Sequence, residues 1–168
     1  MATNRIFITG NAGAGKSTLA RDIARTRSLP CGSLDSIVWG SGWKKTPAHE
    51  RDSRIQDLIA SQHWIIEGVS SMVERAADVV IFLDVPPAVC TLRCARRNLP
   101  YLFRSRPGLP ADCPEILIVP KLLKIIWSFN RNIRPGILSR KAQPNEGQTY
   151  FHVQSADDLS AALDRVAG

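Results

Sequence analysis

Residues 10–17, with the sequence GNAGAGKS, bring together glycines, a lysine and a hydroxyl at a spacing suited to phosphate chemistry. They match the pattern G-x-x-x-x-G-K-[ST] at every fixed position. Glycines allow successive backbone N–H groups to point inward at an anion, and a helix that begins near Gly15 adds the partial positive charge of its N-terminus. In such a loop the lysine reaches the β- and γ-phosphates of a nucleotide, and the hydroxyl that follows it is a ligand for Mg²⁺. The sequence therefore predicts a nucleotide site made by Gly10, Ala12, Gly13, Ala14, Gly15, Lys16, Ser17 and Thr18, with Ser17 on the metal and Thr18 near the α-phosphate.

A phosphate-binding loop of this kind needs a strand before it and a helix after it, and the flanking residues supply both. RIFIT (5–9) is a short apolar run typical of a buried strand. Residues 15–27 place Leu19 and Ile23 four positions apart, which is the spacing of an amphipathic helix. This context separates the motif from a fortuitous glycine-rich turn.

The remainder of the chain alternates between strand-like and helix-like segments. Four further runs are typical of strands, at 31–35, 64–68, 79–85 and 148–154. Strands that alternate with helices form parallel sheets covered on both faces. We therefore predict an α/β fold of the P-loop NTPase type, with three α/β/α layers around a five-stranded parallel sheet.

Three helix starts can be read from their capping residues. Thr46-Pro47 and Pro86-Pro87 each place a proline where a helix begins, and Ser155 would cap a last helix together with Asp158. In the helix after Pro86-Pro87, the inward face is expected to carry Val89, Leu92 and Ala95.

Residues 98–144 interrupt the alternation and hold much of the positive charge. The chain has a net charge of +7, yet between residues 93 and 141 there are eleven Lys/Arg and only two acidic residues. This segment includes an amphipathic piece at 121–133, in which Trp127 is expected to lie in the core. We predict one domain over 1–168, with a nucleotide core at 1–97 and 145–168 and a basic helical lid inserted at 98–144, in which Arg104 and Arg106 are candidate mobile residues.

Several acidic and basic side chains follow the predicted strands and could complete the site. Asp35 at the end of the second strand could orient an acceptor hydroxyl, while Glu67 and Asp84 compete for the water-mediated role at Mg²⁺. Arg93 and Arg97 lie four residues apart on one helix face, where they could stabilise charge that develops on a transferred phosphoryl group. Lys16, Asp35, Arg93 and Arg97 are therefore the candidate catalytic residues.

The segment DVVIFLDVPPAVCTLRCARRN (78–98) resembles the fourth strand and following helix of adenylate-kinase-like P-loop kinases. In that group an Asp-x-Pro strand end is followed by two arginines, matched here by Asp84, Arg93 and Arg97. The resemblance implies that Arg93 lies over the nucleotide base and that Arg97 grips the transferred phosphates.

A resemblance over nearly the whole chain is to the bacterial DNA topology modulation protein family. SLDSIVWGSGWKKTP, WIIEG, RPGLPADCPE and IIWSFNRNIRPGIL are similar to segments of that family, in which the acid matched by Glu67 is usually aspartate. The resemblance favours Glu67 over Asp84 as the acid that serves magnesium.

These observations predict an ATP- and Mg²⁺-dependent kinase that phosphorylates a small-molecule or nucleotide acceptor. The acceptor pocket would be built from residues 35–60 and 68–77. One alternative is an NTP-binding protein that acts with nucleic acid through the basic segment. The other is a simple NTP hydrolase, although this sequence has no GTPase base-specificity motif.

Composition places few other constraints on function. With 44% hydrophobic residues and no apolar run of about 20 residues, no stable membrane association is expected, and we predict a cytoplasmic protein. The four cysteines are expected to be reduced and partly buried thiols, and the three histidines show no metal-ligand spacing.

Overall fold

The computed structural model describes residues 5–39, 44–101 and 115–167. Its centre is a sheet of five parallel strands, which confirms the predicted fold class. The strands are β1 (Arg5–Gly10), β2 (Cys31–Ser33), β3 (Trp64–Glu67), β4 (Val79–Leu83) and β5 (Thr149–Val153). Their spatial order is β2-β3-β1-β4-β5. Because all strands are parallel, their carboxyl ends meet at one edge of the sheet, and β1 delivers the phosphate loop to the middle of that edge.

Eight α-helices surround the sheet in the part of the chain that the structure describes. They are α1 (Lys16–Arg27), α2 (Asp35–Val38), α3 (Ala48–Ile59), α4 (Ser71–Ala76), α5 (Pro87–Asn98), α6 (Glu115–Asn132), α7 (Arg134–Ala142) and α8 (Ala156–Ala167), and a 3₁₀ turn follows α5 at Leu99–Tyr101. The short helices α2 and α4 were not expected from sequence. Each is little more than one turn, too short for an apolar period to show.

The strands bury both of their faces, as strands of a parallel sheet do. On one face, Ile6 and Ile8 of β1 pack in a cluster with residues of α1, α5 and α8. On the other face, Phe7 packs in a second cluster with residues of α3 and α4. The alternation along β1 therefore separates two apolar layers, one on each side of the sheet.

The helices of the basic segment, α6 and α7, are part of this core. Ile126 of α6 is fully buried in the first cluster, and Phe129 packs with Phe82 of β4 and with Ile137 of α7. The expectation that Trp127 is a core residue is wrong, because its side chain is 61% exposed. Helix α6 faces the core through Ile126 and Phe129, and Trp127 lies on its outward face.

The inward face of α5 also differs from the expectation. Val89, Leu92 and Ala95 are all exposed, Leu92 by 71%, and the residues that α5 buries are Cys90, Cys94 and Asn98. The prediction was wrong because it followed the larger aliphatic side chains. The helix instead approaches the sheet through its small cysteines, which permit close packing.

The predicted cap of the last helix is confirmed. The Asp158 carboxylate accepts hydrogen bonds from the backbone N–H groups of Gln154 and Ser155, while the Ser155 hydroxyl accepts one from the N–H of Asp158. These bonds, led by the one from Gln154, hold the pKa of Asp158 below its usual value. Helix α8 thus begins with a reciprocal capping box.

Among the residues described, no helix is long and apolar enough to cross a membrane. Arg104 and Arg106, which were predicted to belong to a mobile lid, lie outside the described residues, as does Cys113.

Candidate functional site

The phosphate loop folds as a series of turns that only glycine accommodates without strain. Gly10, Gly13 and Gly15 have φ angles of 148°, 81° and 105°. Gly15 is the N-cap of α1, and among the described residues no side chain caps this helix. The first turn of α1 therefore presents its backbone N–H groups and the positive end of its dipole at the carboxyl edge of the sheet.

Gly13 is also the point at which the loop touches α5. A Cβ atom at this position would lie 2.6 Å from the carbonyl oxygen of Cys90 and 2.8 Å from the Sγ atom of Cys94. Both cysteines are buried, and burial raises the pKa of the Cys90 thiol. The small side chains of α5 and the glycine of the loop thus permit a close approach that larger residues would prevent.

Asn11 ties the same loop to α6. Its side-chain amide donates to the carbonyl oxygen of Ile126 at 2.9 Å, and its Oδ1 accepts the backbone N–H of Ala12 at 2.8 Å. The residue is 2% exposed. Sequence reasoning did not single out Asn11, because it occupies a variable position of the motif and its partner is 115 residues away.

Lys16 and Ser17 place their side chains at the loop. The Lys16 ammonium donates to the carbonyl oxygen of Asn11 at 2.9 Å, so this side chain folds back over the loop. The Ser17 hydroxyl donates to Glu67 Oε1 at 3.0 Å. Thr18 is exposed on the first turn of α1.

Glu67 is a buried carboxylate at the end of β3. It is 3% exposed and accepts hydrogen bonds from the hydroxyls of Ser17 and Ser33. These partners come from α1 and β2, on either side of the strand. The structure therefore brings together Ser17 and Glu67, the two residues predicted to serve a metal ion.

Asp84, the alternative acid, is engaged elsewhere. Arg134 at the start of α7 donates to both of its carboxylate oxygens, at 2.8–3.1 Å, and His152 of β5 lies 2.7 Å from Oδ2. Burial alone would raise the pKa of Asp84, but the hydrogen bonds from Arg134 and His152 outweigh it and lower the pKa. The His152 ring also stacks on Phe82, with centroids 5.1 Å apart. Asp84 thus holds α7 to the sheet, and His152 has a specific partner that its sequence context did not indicate.

The two predicted catalytic arginines are placed differently. Arg93 of α5 reaches the phosphate loop, where its Nη1 lies 3.4 Å from the carbonyl oxygen of Ala14. Arg97 is one turn farther along and bonds within its own helix, to Asn98 Oδ1 at 2.9 Å and to Cys94 Sγ at 3.7 Å. Both residues are exposed on the side of α5 next to the loop.

Asp35 does not lie on a strand. Strand β2 ends at Ser33, two residues earlier than expected, and Asp35 is the exposed first residue of α2. The backbone N–H of Leu34 donates to the carbonyl oxygen of Glu67 at 2.9 Å, which fixes the turn before Asp35 beside the end of β3.

A cavity of about 370 Å³ opens next to this turn. Its apolar surface includes Leu34, Ile55 and Met72, and its rim carries Arg51 and Asp52, which form an ion pair at 3.0 Å. All of the lining residues except Leu34 fall within 35–60 and 68–77, the segments that we expected to build an acceptor pocket. Leu34 also packs closely against Gly68 (φ 144°), where a Cβ atom would lie 2.7 Å from Leu34 Cβ.

No protein-family model matches the sequence, and neither does any curated protein. The fold is, however, similar to solved structures. A gluconokinase from Sinorhizobium meliloti 1021 has a TM-score of 0.55 and 16% identity, covering 98% of this chain and 92% of that one. A sugar kinase from Janibacter sp. HTCC2649 has a TM-score of 0.53 and 14% identity, covering 98% and 94%. A shikimate kinase from Acinetobacter baumannii in complex with shikimate has a TM-score of 0.52 and 17% identity, covering 96% and 90%.

At these identities the similarity concerns the fold. The aligned region covers nearly the whole of each chain. The described part of this chain therefore has the α/β fold of P-loop kinases, as the sequence predicted.

Proposed function

We propose that this protein is an ATP- and Mg²⁺-dependent kinase that transfers the γ-phosphoryl group to a small molecule. The observation that carries the proposal is the hydrogen bond between Ser17 and the buried Glu67. Ser17 directly follows Lys16 in a complete phosphate-binding loop. Solved proteins of the same fold include a gluconokinase, a sugar kinase and a shikimate kinase, which supports a small-molecule acceptor.

The residues at the end of β3 fit a magnesium ion. Magnesium prefers oxygen ligands, and it commonly binds through one or two protein oxygens plus phosphates and water. Ser17 offers a hydroxyl, and Glu67 offers a carboxylate whose burial keeps it in place. A bound ion would neutralise charge on the β- and γ-phosphates.

The chain itself would act mainly by positioning and by electrostatic stabilisation. The N–H groups of the loop would bind the phosphates, and the Lys16 ammonium would exchange the Asn11 carbonyl oxygen for a phosphate oxygen. Arg93, which already reaches the loop, would contact the nucleotide. Arg97 would need to leave its bonds to Asn98 and Cys94 to reach the transferred phosphate.

We assign the acceptor to the cavity between α2, α3 and α4. Asp35 begins α2 beside this cavity, where it would orient the attacking hydroxyl. The cavity combines apolar side chains with two serines and one ion pair, which favours an amphipathic acceptor with few charges.

Nucleic acid as the partner has less support. Two of the arginines in the basic segment are committed to ion pairs, Arg134 with Asp84 and Arg140 with Glu74. The resemblance to DNA topology modulation proteins supports a P-loop NTPase, and the kinase proposal is compatible with it.

The first test removes the loop lysine. Lys16→Ala is expected to weaken ATP binding by at least about 10-fold, because each lost charged hydrogen bond to phosphate is worth about 1.5–3 kcal/mol. ATP affinity is measured by calorimetry, and turnover by transfer of γ-labelled phosphate to a pool of small hydroxylated metabolites. Lys124→Ala, which removes an exposed lysine of α6, is the matched control. Unchanged ATP affinity and turnover in Lys16→Ala would contradict the proposal.

The second test addresses the metal. Glu67→Gln keeps an acceptor for the Ser17 hydroxyl but removes the charge, so the activity at fixed Mg²⁺ should fall by about 10–100-fold. The apparent affinity for Mg²⁺ should fall with it. Ser33→Ala, which removes one hydrogen bond to Glu67 and leaves its charge, should retain most of the activity. Equal Mg²⁺ dependence in Glu67→Gln and the wild type would exclude the assigned role.

A further inference from the structure

A second polar cavity lies at the opposite end of the sheet from the phosphate loop. It has a volume of about 320 Å³, at the lower end of the range of about 300–1,000 Å³ for small-molecule pockets. It is bounded by α4, α7 and the residues that lead into β5. Gln148 and Tyr150 lie at the amino end of β5, since Thr149 pairs with Val79 at the start of β4. The cavity is therefore separate from the phosphate loop and from the proposed acceptor cavity.

The floor of this cavity is an ordered network around the buried Glu74. Its carboxylate accepts the Tyr150 hydroxyl at 3.2 Å and pairs with Arg140 Nη2 at 2.7 Å. The Gln148 amide donates to the backbone carbonyl oxygens of Glu74 and Ala77 at 2.7 and 2.8 Å. Three elements are thereby fixed around the cavity, so the groups on its wall are held in position before any ligand arrives.

The wall of the cavity is rich in hydrogen-bond donors. Arg140 binds Glu74 through one terminal nitrogen, but its buried Nε has no hydrogen-bond partner among the residues described. Arg75 adds a second guanidinium, and Ser139 and Gln143 add a hydroxyl and an amide. Because this Nε is itself buried, an anion in the cavity would be held through the terminal nitrogens of the guanidinium groups.

The charge of the cavity is positive. The residues that line it include two arginines and no carboxylate within the described ranges. The Glu74 carboxylate beneath them neutralises one guanidinium and leaves the other uncompensated.

We propose that the cavity between α4, α7 and β5 is a binding site for a small oxyanion, such as a phosphorylated or carboxylated metabolite held by Arg75 and Arg140. Guanidinium groups match the geometry of both phosphate and carboxylate. The site does not depend on the proposed kinase activity, because none of its residues belongs to the phosphate loop or to the acceptor cavity.

The test must separate this site from the phosphate loop, which also binds anions. Inorganic phosphate, glucose 6-phosphate and citrate are titrated separately into ¹⁵N-labelled protein. The Nε–H signals of Arg75 and Arg140 report on the cavity, and the backbone amides of residues 13–17 report on the loop. The variants are Arg75→Gln, which removes a donor, and Gln143→Glu, which adds a repelling carboxylate. Arg54→Gln, which removes an exposed arginine of α3, is the control for net charge.

We expect at least one of the three anions to shift the cavity signals saturably. The dissociation constant of that anion should rise at least 5-fold in both cavity variants and stay unchanged in Arg54→Gln. The anion that binds most tightly identifies the ligand class. The proposal is overturned if the cavity signals do not saturate with any of the three, or if Arg54→Gln weakens binding as much as Arg75→Gln does. If inorganic phosphate shifted the cavity signals but not the amides of residues 13–17, the result would count against the proposed kinase and would support this site.

Discussion

Gly13→Ala, compared with Gly15→Ala, measures how tightly the phosphate loop is packed against α5. Both glycines have positive φ angles, 81° and 105°, so either substitution forces a Cβ atom into the left-handed region at a cost of about 1–2 kcal/mol. The two positions differ in their surroundings. The added Cβ at Gly13 meets Cys90 and Cys94 at 2.6 and 2.8 Å, whereas at Gly15 nothing lies within 4 Å.

The difference between the variants therefore isolates the steric contact. Overpacking a tight site costs about 1–3 kcal/mol. We expect the free energy of unfolding to fall by about 2–5 kcal/mol in Gly13→Ala and by only about 1–2 kcal/mol in Gly15→Ala. For a chain of this size, 1 kcal/mol corresponds to about 2–4 °C, so the Tm of Gly13→Ala should lie about 2–12 °C below that of Gly15→Ala.

Urea unfolding followed by far-UV circular dichroism gives both free energies, and calorimetry gives the Tm values. Adding Cys94→Ala to Gly13→Ala removes the contact with Sγ but not the one with the Cys90 carbonyl oxygen, so it should recover only part of the loss. If Gly13→Ala were as stable as Gly15→Ala, the close approach of the loop to α5 would be refuted.

Two further substitutions test the contacts that hold α6 and α7. Asp84→Asn should lower the free energy of unfolding by about 1.5–3 kcal/mol at pH 7, because it removes charged hydrogen bonds from Arg134 and His152. Since the folded pKa of Asp84 lies below its unfolded value of about 3.9, this stabilisation is present above that pH and is lost as the pH falls through the folded pKa. Urea titrations from pH 7 to pH 3 should show the two proteins converging in acid, and a constant difference would contradict the assignment. Asn11→Ala should lower the free energy of unfolding by about 1–3 kcal/mol, because the carbonyl oxygen of Ile126 loses the hydrogen bond from the Asn11 amide. Asn11→Asp should be no more stable, since a carboxylate cannot donate this bond. A decrease of less than about 0.5 kcal/mol in Asn11→Ala would argue against the contact between the loop and α6.

Local signals in the sequence predicted most of the fold. The glycine spacing of residues 10–17 located the loop between β1 and α1, and Ser155 with Asp158 located the start of α8. These features depend on neighbours a few residues apart, so they can be recognised without a structure. The prediction that Ser17 and Glu67 share a site relied on strand ends, which a parallel sheet brings to one edge, and on the family resemblance that favoured Glu67 over Asp84.

Contacts between distant residues were harder to predict. The Asn11 side chain reaches a carbonyl oxygen 115 residues away in α6, and the partners of Asp84 in α7 and β5 are 50 and 68 residues away. Two of these three contacts depend on how the insertion packs on the sheet. The faces of α5 and α6 were misassigned for a related reason. Leu92 and Trp127 are large side chains that were expected to face the core, but both are exposed, and the two helices bury Cys90, Cys94 and Ile126 instead.

The close contact of Gly68 with Leu34 has a consequence for how this scaffold could diversify. Gly68, which follows Glu67, leaves no space for a side chain beside Leu34, one of the residues that line the proposed acceptor cavity. Another wall of the cavity is α3, which carries Arg51 and Ile55. No hydrogen bond among the described residues joins α3 to the phosphate loop. If the proposed function is correct, selectivity for a new acceptor could evolve, or be engineered, by exchanging side chains on that helix without altering the phosphate loop.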